Sequence, residues 1–353
     1  MSEKVVIIGG GLAGLCAAIE LCRIGIYPIL IEAGSYPAHK VCGEFLSPES
    51  LPWLQKLNIH PTTINEIFLG IDSKNVIFKL PKPAGSLSHF ILDAALADKA
   101  SKMGTQVRSH VKVTNLRPKQ QASEFHVIEL STGETLHAHS ILVATGRLPS
   151  LYIPPKSFKY MGIKAHFEGI ELNQALKMFS FKEAYMGLSP IENEKTNLAC
   201  LASMRAVERA GSPDLLMKQL VDSNSHLKEL ISRGKNVFGE WMTAKIPFFG
   251  FKSTPDWLDA YFIGDAAISL PPACGGGLSL AINSGIKSAG FVAKQNFHGF
   301  KKQSRRDNAG LMRNAKGLHH LFMVPWLGKA GFQICSLWPS LPQEIFLLSR
   351  TLR

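Results

Sequence analysis

The chain has 353 residues, enough for one large domain or two ordinary ones, and 46% of them are hydrophobic. This composition predicts a folded globular core and argues against disorder. The formal net charge of +12 at pH 7 is high, which fits an anionic membrane surface or acidic ligands. Basic runs interleaved with aromatic residues are missing from the sequence, so no nucleic-acid partner is expected.

Other sequence features limit the location of the protein. No run of about 18 uncharged apolar residues occurs, so a membrane span is not predicted. The N-terminal residues lack the pattern of a secretory signal. The six cysteines have neither metal-ligand nor disulfide-framework spacing, which favours a reducing compartment. We therefore expect a cytoplasmic protein without a metal site.

The first motif is an apolar strand at residues 5–8 that runs into a glycine-rich turn and then an apolar helix pattern. A second strand at residues 28–31 ends at Glu32, which lies 18 residues after Gly14. In dinucleotide-binding folds such glycines let the backbone approach a pyrophosphate at a helix N-terminus, and the acid binds a ribose hydroxyl. The predicted contacts to a dinucleotide are Gly9, Gly11, Leu12, Ala13, Gly14, Glu32 and Ala33.

Helices and strands alternate between residues 40 and 150. Apolar residues recur at helical spacing over residues 88–103, and Gly104 ends that helix. A shorter helix is predicted near residues 49–57. Strands are predicted near residues 67–71, 76–80, 105–113, 125–130, 136–139 and 141–144.

The composition changes after residue 150. Strands are predicted at residues 162–167, 185–189 and 198–201, and a helix is predicted at residues 213–232. This section has no dinucleotide motif. It is typical of an antiparallel sheet that carries a substrate.

A second glycine loop follows a buried strand at residues 261–263. An acid stands at the strand end, and glycines open a helix that is predicted to run from residue 278 to residue 295. Backbone can approach a flat ligand closely at such a loop, while the helix N-terminus faces it. The predicted contacts are Gly264, Asp265, Pro272, Gly275, Gly276, Gly277 and Leu278.

Together these strings resemble the FAD-dependent oxidoreductases of the para-hydroxybenzoate hydroxylase superfamily. Lys40-Val41-Cys42-Gly43 resembles the Cys-Gly motif of its geranylgeranyl reductase-like branch. The resemblance covers roughly residues 1–300 and implies FAD, with Glu32 on the adenosine ribose and the second glycine loop beside the isoalloxazine. Further FAD contacts that the resemblance implies are Lys40, Gly43, Val111, Ala144, Thr145 and Gly146.

The sequence also departs from this family. Ile268 stands where a glycine is usual, and His89 stands where an arginine is usual, although Asp93 is kept. The superfamily's hydroxylases carry an Asp-Gly segment linked to nicotinamide use, and this chain has Ala144-Thr145-Gly146-Arg147 at that place. The electron donor is therefore left open between NAD(P)H and a ferredoxin.

The substrate side has one candidate string. Residues 185–190 resemble the Y-x-W-x-F-P string of prenyl reductases, with Tyr185 and Pro190 kept and both rings replaced, by Gly187 and Ser189. Tyr185 and Pro190 are predicted substrate contacts in a pocket that the lost rings would widen. An ordinary core strand is the alternative interpretation.

Three residues are candidates for catalysis. Lys164 and His166 share one face of a strand. Lys164 could bind an anionic group, and His166 could supply an imidazole that titrates near neutral pH. The alternative is a structural role, which is the more common one for a lone histidine in a strand. Cys42 could lie beside the flavin as an acid or as a small apolar wall.

We expect an α/β fold with an α+β substrate domain. A Rossmann-like FAD-binding domain is predicted at residues 1–150 and 256–300, an antiparallel-sheet substrate domain at residues 151–255, and a helical C-terminal segment at residues 301–353. That apolar, aromatic segment is either a cap or a peripheral membrane contact. The protein is expected to be a monomer or a homodimer.

The predicted reaction is reduction of an unsaturated apolar or prenyl-like small molecule by hydride from flavin N5. Cys42, His166 or a water would supply the proton. The first alternative is a flavin monooxygenase or halogenase, although residues 241–247 read W-M-T-A-K-I-P rather than W-x-W-x-I-P. An alternative of another class is a flavin-binding protein without turnover.

Overall fold

A computed structural model describes residues 4–72, 74–119, 121, 125–146, 157–255, 257–338 and 340–350. Arg147 lies outside these residues. The strands are β1 (Val5–Ile8), β2 (Ile29–Ile31), β3 (Phe45–Leu46), β4 (Thr62–Ile71), β5 (Lys74–Ser86), β6 (Gln106–Arg108), β7 (Val113–Arg117), β8 (His126–Leu130), β9 (Thr135–Ala138), β10 (Ser140–Val143), β11 (Tyr160–Glu168), β12 (Ala175–Phe181), β13 (Ala184–Pro190), β14 (Thr196–Ser203), β15 (Lys235–Asn236), β16 (Met242–Ile246), β17 (Gly250–Phe251), β18 (Tyr261–Phe262) and β19 (Ile268–Ser269). The helices are α1 (Leu12–Arg23), α2 (Leu51–Lys56), α3 (His89–Lys102), α4 (Met204–Ala210), α5 (Pro213–Asp222), α6 (Ser225–Ser232), α7 (Gly277–Ala293), α8 (Phe297–Met323), α9 (Pro325–Leu337) and α10 (Leu341–Leu348).

A parallel sheet in the order β18-β10-β1-β2-β6 forms the nucleotide half of the molecule. Its central strand β1 is buried at all four residues, as expected for a parallel strand covered on both faces. Helices α1 and α7 pack tightly because Gly285 is small. A Cβ atom at that position would lie 2.4 Å from the carbonyl oxygen of Ala13. This close packing brings the two glycine loops together.

A nine-stranded sheet forms the other half, in the order β15-β11-β14-β13-β12-β4-β5-β3 with β16 beside β11. Its pairings are antiparallel except for β12 with β4. Strands β3, β4 and β5 come from residues 45–86, which the sequence had assigned to the nucleotide domain at 1–150. An isolated hairpin is marginally stable in water, so β4 and β5 gain stability by extending the larger sheet.

Two predicted elements are divided in the structure. The helix predicted at residues 213–232 is α5 and α6, because the side chain of Asn224 accepts a hydrogen bond from Leu227 N at 2.9 Å and starts a new helix. The strand predicted at residues 105–113 is β6 followed by the start of β7. His110 between them adopts a left-handed conformation with φ of 60°, which interrupts an extended chain.

The helical C-terminal segment is α8, α9 and α10, and it covers one face of the nine-stranded sheet. Helix α9 approaches β4 closely at Gly328, where a Cβ atom would lie 2.5 Å from Ile71 Cδ1. Arg350 Nη2 donates to the carbonyl oxygen of Cys274 at 2.6 Å, which links this segment to the second glycine loop. Within the described residues, no helix combines the length and the apolarity needed to cross a bilayer.

Candidate active site

A cavity of about 630 Å³ lies between the two sheets and the C-terminal helices. Its volume is in the range of ligand sites. The two glycine loops form one end. The face of β4, β5 and β12 and helices α8 to α10 enclose the other end.

Backbone dominates the glycine end. Helices α1 and α7 both begin without a side-chain cap, so N–H groups at their N-termini are available to a ligand. Gly9 has φ of +104°, and a Cβ atom there would lie 2.4 Å from Ala144 O. Thr145 Oγ1 is buried without a hydrogen-bond partner among the described residues. This combination fits the pyrophosphate and flat ring system of FAD.

The structure divides the predicted cofactor contacts into two groups. The following line the cavity: Gly11, Leu12, Ala13, Lys40, Gly43, Ala144, Gly146, Asp265, Pro272, Gly275, Gly277 and Leu278. The following lie outside its lining: Gly9, Gly14, Glu32, Ala33, Val111, Thr145, Gly264 and Gly276.

Glu32, at the end of β2, is held by backbone N–H groups. Its carboxylate accepts from Gly10 N at 2.6 Å and from Gly34 N at 2.7 Å. Val111 N donates to the Glu32 carbonyl oxygen at 3.0 Å. The acid and Val111 are therefore neighbours at the end of β2.

A buried ionic cluster around Glu44 supports the wall that carries Cys42. Glu44 is fully buried and accepts from Lys164 Nζ at 2.5 Å and from the backbone N of His89 at 2.9 Å. His166 Nε2 lies 2.9 Å from its other oxygen. Burial alone would raise the pKa of Glu44, but the hydrogen bond of His166 and the charge of Lys164 hold it below its usual value.

Lys164 and His166 were predicted as catalytic residues, and that role stays a prediction. Both are buried and neither is part of the cavity lining. Lys164 Nζ also donates to the carbonyl oxygen of Lys40 at 2.9 Å. The two residues do share one face of β11, as predicted, but Glu44 covers that face. Through Glu44 and the carbonyl oxygen of Lys40, the two residues bind the loop at residues 40–44.

Cys42 does line the cavity, beside His89. Its sulfur accepts from Glu44 N at 3.4 Å. Burial alone would raise the pKa of Cys42, but the hydrogen bond and charge of His89 outweigh burial and hold that pKa below its usual value. A thiol in such surroundings is ionised more readily than an ordinary buried cysteine.

His89 and Asp93 lie one turn apart on α3, which brings their side chains together. His89 Nδ1 is 3.1 Å from both carboxylate oxygens of Asp93, and Asp93 also accepts from Lys40 Nζ at 2.7 Å. Burial alone would lower the pKa of His89, but the charge and hydrogen bond of Asp93 raise it to about 10. The imidazole is therefore charged at neutral pH.

Of the two predicted substrate contacts, the structure brings only Tyr185 to the cavity. Its hydroxyl accepts from Ala273 N at 3.0 Å and so supports the second glycine loop. Pro190 lies outside the lining, and its carbonyl oxygen accepts from the Ser86 hydroxyl. A Cβ atom on Gly187 would meet nothing within 4 Å, so the cavity is open where prenyl reductases carry a ring.

The far end of the cavity is an apolar chamber. Its sheet side is formed by Ile67, Leu69, Ile71, Val76, Phe78, Leu176 and Met178. Its helical side is formed by Leu321, Phe322, Ile334, Leu341, Ile345 and Phe346. Such a surface favours the hydrocarbon part of a ligand.

Comparison with known proteins identifies the class. Residues 2–147 match a family model described as an FAD binding domain. With the fold and the paired glycine loops, this match defines an FAD-dependent oxidoreductase that acts on a small molecule. FAD is its cofactor.

Two relatives are named as reductases. The chain is 23% identical to menaquinone reductase of Mycolicibacterium smegmatis over 81% of this chain and 75% of that protein. It is 24% identical to digeranylgeranylglycerophospholipid reductase of Methanococcus vannielii over 83% of this chain and 77% of that protein. These likenesses confirm the predicted resemblance to the geranylgeranyl reductase-like branch.

A solved structure confirms the fold. The flavin-dependent brominase Bmp2 superposes with a TM-score of 0.80 at 20% identity, covering 98% of this chain and 93% of that chain. The predicted α/β architecture, with parallel and antiparallel sheets and C-terminal helices, is therefore correct.

Proposed function

We propose that this oxidoreductase reduces a carbon–carbon double bond in a long, apolar, prenyl-like molecule. The observation that carries the proposal is the apolar chamber, which opens onto the glycine loops within one cavity. Burial of an isoprenoid chain there would favour binding by roughly 25 cal/mol for each Å² of apolar surface removed from water. The two reductase-named relatives support a substrate of this kind.

Bound FAD would supply the hydride through its N5 atom. The chain's own residues would do the rest. The glycine loops would hold the cofactor through backbone N–H groups, and helices α9 and α10 would exclude water from the chamber. Cys42 lines the same cavity and would donate the proton to the second carbon of the double bond.

The electron donor of this proposal is NAD(P)H or a ferredoxin. Each donor is mixed in turn with the oxidised holoprotein under anaerobic conditions, and bleaching of the flavin absorbance is followed. The donor that bleaches the flavin rapidly is identified as the electron donor of this protein. Free FAD at the same concentration controls for direct reduction in solution.

The proposed reaction is tested anaerobically with the chemically reduced holoprotein. We offer a menaquinone and a geranylgeranyl lipid and measure products by mass spectrometry. The expected result is a mass gain of two hydrogens for each bond reduced, with reoxidation of the flavin. Flavin that stays reduced while both substrates remain unchanged would contradict the proposal.

The fold it shares with the brominase makes a halogenase or monooxygenase the second candidate. The two candidates differ in their need for oxygen. Double-bond reduction proceeds without oxygen, whereas hydroxylation and halogenation require it. Product that forms only after oxygen is admitted, with oxygen or halogen incorporated, would favour the second candidate.

We also propose that the C-terminal helices contact an anionic membrane surface from which the substrate is taken. Helix α8 carries six Lys or Arg residues against one Asp, and such a cationic surface is attracted to anionic lipid. Large apolar side chains are exposed on the adjoining segment, and they suit the interfacial region. They are Trp326, Ile334, Leu337, Trp338, Leu347 and Leu348.

Liposome flotation tests this contact. The protein should float with vesicles that contain anionic lipid and much less with neutral vesicles. Replacing Trp326 and Trp338 with Ser should reduce the bound fraction, whereas Trp257→Ser should not. Trp257 is also exposed but lies outside the C-terminal helices. Equal flotation of both variants would overturn the proposal.

A further inference from the structure

Cys42, His89, Asp93 and Lys40 form a continuous polar chain in the cavity wall. His89 Nδ1 lies 3.1 Å from Asp93, and Lys40 Nζ lies 2.7 Å from the same carboxylate. Because Nδ1 faces Asp93, the other ring nitrogen is left for the hydrogen bond to Cys42. Three of these residues, Lys40, Cys42 and His89, line the cavity.

The charges around this chain favour an ion pair between Cys42 and His89. Asp93 is buried and stabilises a positive imidazole, which in turn stabilises a negative sulfur. Lys40 partly balances Asp93. The other titratable groups that interact with the chain are Glu44, near Cys42 and His89, and Cys16 and Tyr36, near Asp93.

We propose that His89, held by Asp93, is a positioning residue that shares one proton with Cys42. His89 thereby supplies Cys42 with the proton that Cys42 donates to the substrate. The proposal rests on the proposed double-bond reduction for its use in turnover. Its electrostatic part, a Cys42 thiolate sustained by His89, stands independently of any substrate.

One carbon of the double bond receives the hydride that FAD supplies. The other carbon takes the proton from Cys42 Sγ, so that a carbon–hydrogen bond forms as the sulfur–hydrogen bond breaks. That proton first passes from the His89 imidazolium to the Cys42 thiolate, so the transfer to carbon leaves a thiolate beside a neutral imidazole, and a proton from water then restores the imidazolium.

Histidine can do this where arginine cannot. A guanidinium at position 89 would also stabilise a thiolate, but it keeps its protons at any physiological pH. An imidazolium supplies both the charge and a transferable proton. The two functions of His89 are therefore separable by substitution.

The first test measures the Cys42 thiolate directly in the oxidised holoprotein. Ultraviolet absorbance is recorded against pH, and the curve of a Cys42→Ser variant is subtracted to isolate the Cys42 signal. We expect a substantial thiolate signal at neutral pH. His89→Gln should lower that signal about tenfold or more, because one unit of pKa changes the thiolate fraction about tenfold. An unchanged signal would overturn the proposal.

Cys335 provides a control within the same cavity. It also lines the cavity, but burial raises the pKa of its thiol. Subtracting the curve of a Cys335→Ser variant should give no signal at neutral pH, with or without His89. If His89→Gln fails to fold, as judged by flavin content, Asp93→Asn replaces it, and the Cys42 signal should again fall.

The second test separates charge from proton transfer. His89→Arg should keep the thiolate signal, yet slow double-bond reduction by about tenfold or more, the usual range for loss of acid–base assistance. Flavin reduction by the donor should be unchanged. Full turnover in His89→Arg would overturn the shared proton. If the wild type reduces no double bond at all, the proposed function fails, while the thiolate titration still decides the ion pair.

Discussion

The glycine end of the cavity and the wall that carries Cys42 are held together by different interactions. At the glycine end, the glycines carry no side chain and the backbone packs closely, as where a Cβ atom on Gly9 would collide with Ala144. In the wall, fully buried charged side chains of Glu44 and Lys164 bind each other. The glycine end depends on close packing that leaves no room for a side chain, and the wall depends on the balance of its buried charges.

The largest expected effect comes from removing one charge of the wall. Glu44→Gln leaves Lys164 buried without its counter-charge, which should destabilise the protein by about 3–5 kcal/mol. Glu32→Gln is the matched change at the glycine end, where the acid accepts backbone N–H bonds, and should cost about 1 kcal/mol. Chemical denaturation measures both.

A double variant tests the cause of that loss. Adding Lys164→Met to Glu44→Gln removes the unpaired charge and should recover part of the stability. If the double variant is as unstable as the sum of the single variants, charge balance is not what holds the wall together.

The need for close packing at the glycine end is tested by adding one methyl group. Gly9→Ala combines a left-handed backbone with a contact of 2.4 Å, so we expect a loss of about 3 kcal/mol or more and loss of bound FAD. Gly25→Ala controls for the backbone alone. Gly25 has φ of +81° with nothing within 4 Å of its Cβ position, and about 1–2 kcal/mol is expected. Equal losses would refute the role of close packing.

A larger side chain in the cavity should affect turnover more than folding. Gly187→Trp points into open space and should block a long substrate while FAD remains bound and the unfolding temperature changes little. Gly310→Trp, on the exposed surface of α8, should leave turnover unchanged. Normal turnover of long substrates by Gly187→Trp would show that the hydrocarbon chain of the substrate binds elsewhere.

The smallest effect is a change in acid sensitivity. The folded-state pKa of Glu44 is lowered from 4.5, so the stability it contributes is present above its unfolded pKa. That contribution is lost as the pH falls through the folded value. Glu44→Gln should therefore lose less stability between neutral pH and acid than the wild type does. Parallel stability curves for the two proteins would contradict this.

The same contrast explains what the sequence could predict. The glycine loops, Glu32 and the strands around them are local strings whose spacing carries their chemistry, and the parallel sheet follows from them. The assembly around Glu44 joins β11, α3 and the loop at residues 40–44, which are distant in sequence. Period two correctly paired Lys164 with His166, but no spacing rule connects either of them to Glu44.

His89 illustrates an intermediate case. Comparison with the family motif marked it as a departure from arginine, and the helical spacing to Asp93 was present in the sequence. Its partner Cys42 lies in a separate loop, so their contact required the fold. The chamber was hidden for the same reason, because β4, β5, β12 and the C-terminal helices meet only after folding.

The hydrogen bond from Arg350 to Cys274 bears on the order in which the protein is made. Chains emerge from the ribosome N-terminus first, so both glycine loops are synthesised well before the helices that cover the cavity. The bond between Arg350 and Cys274 can therefore form only after both glycine loops have been synthesised, so the C-terminal helices reach the second glycine loop late in synthesis.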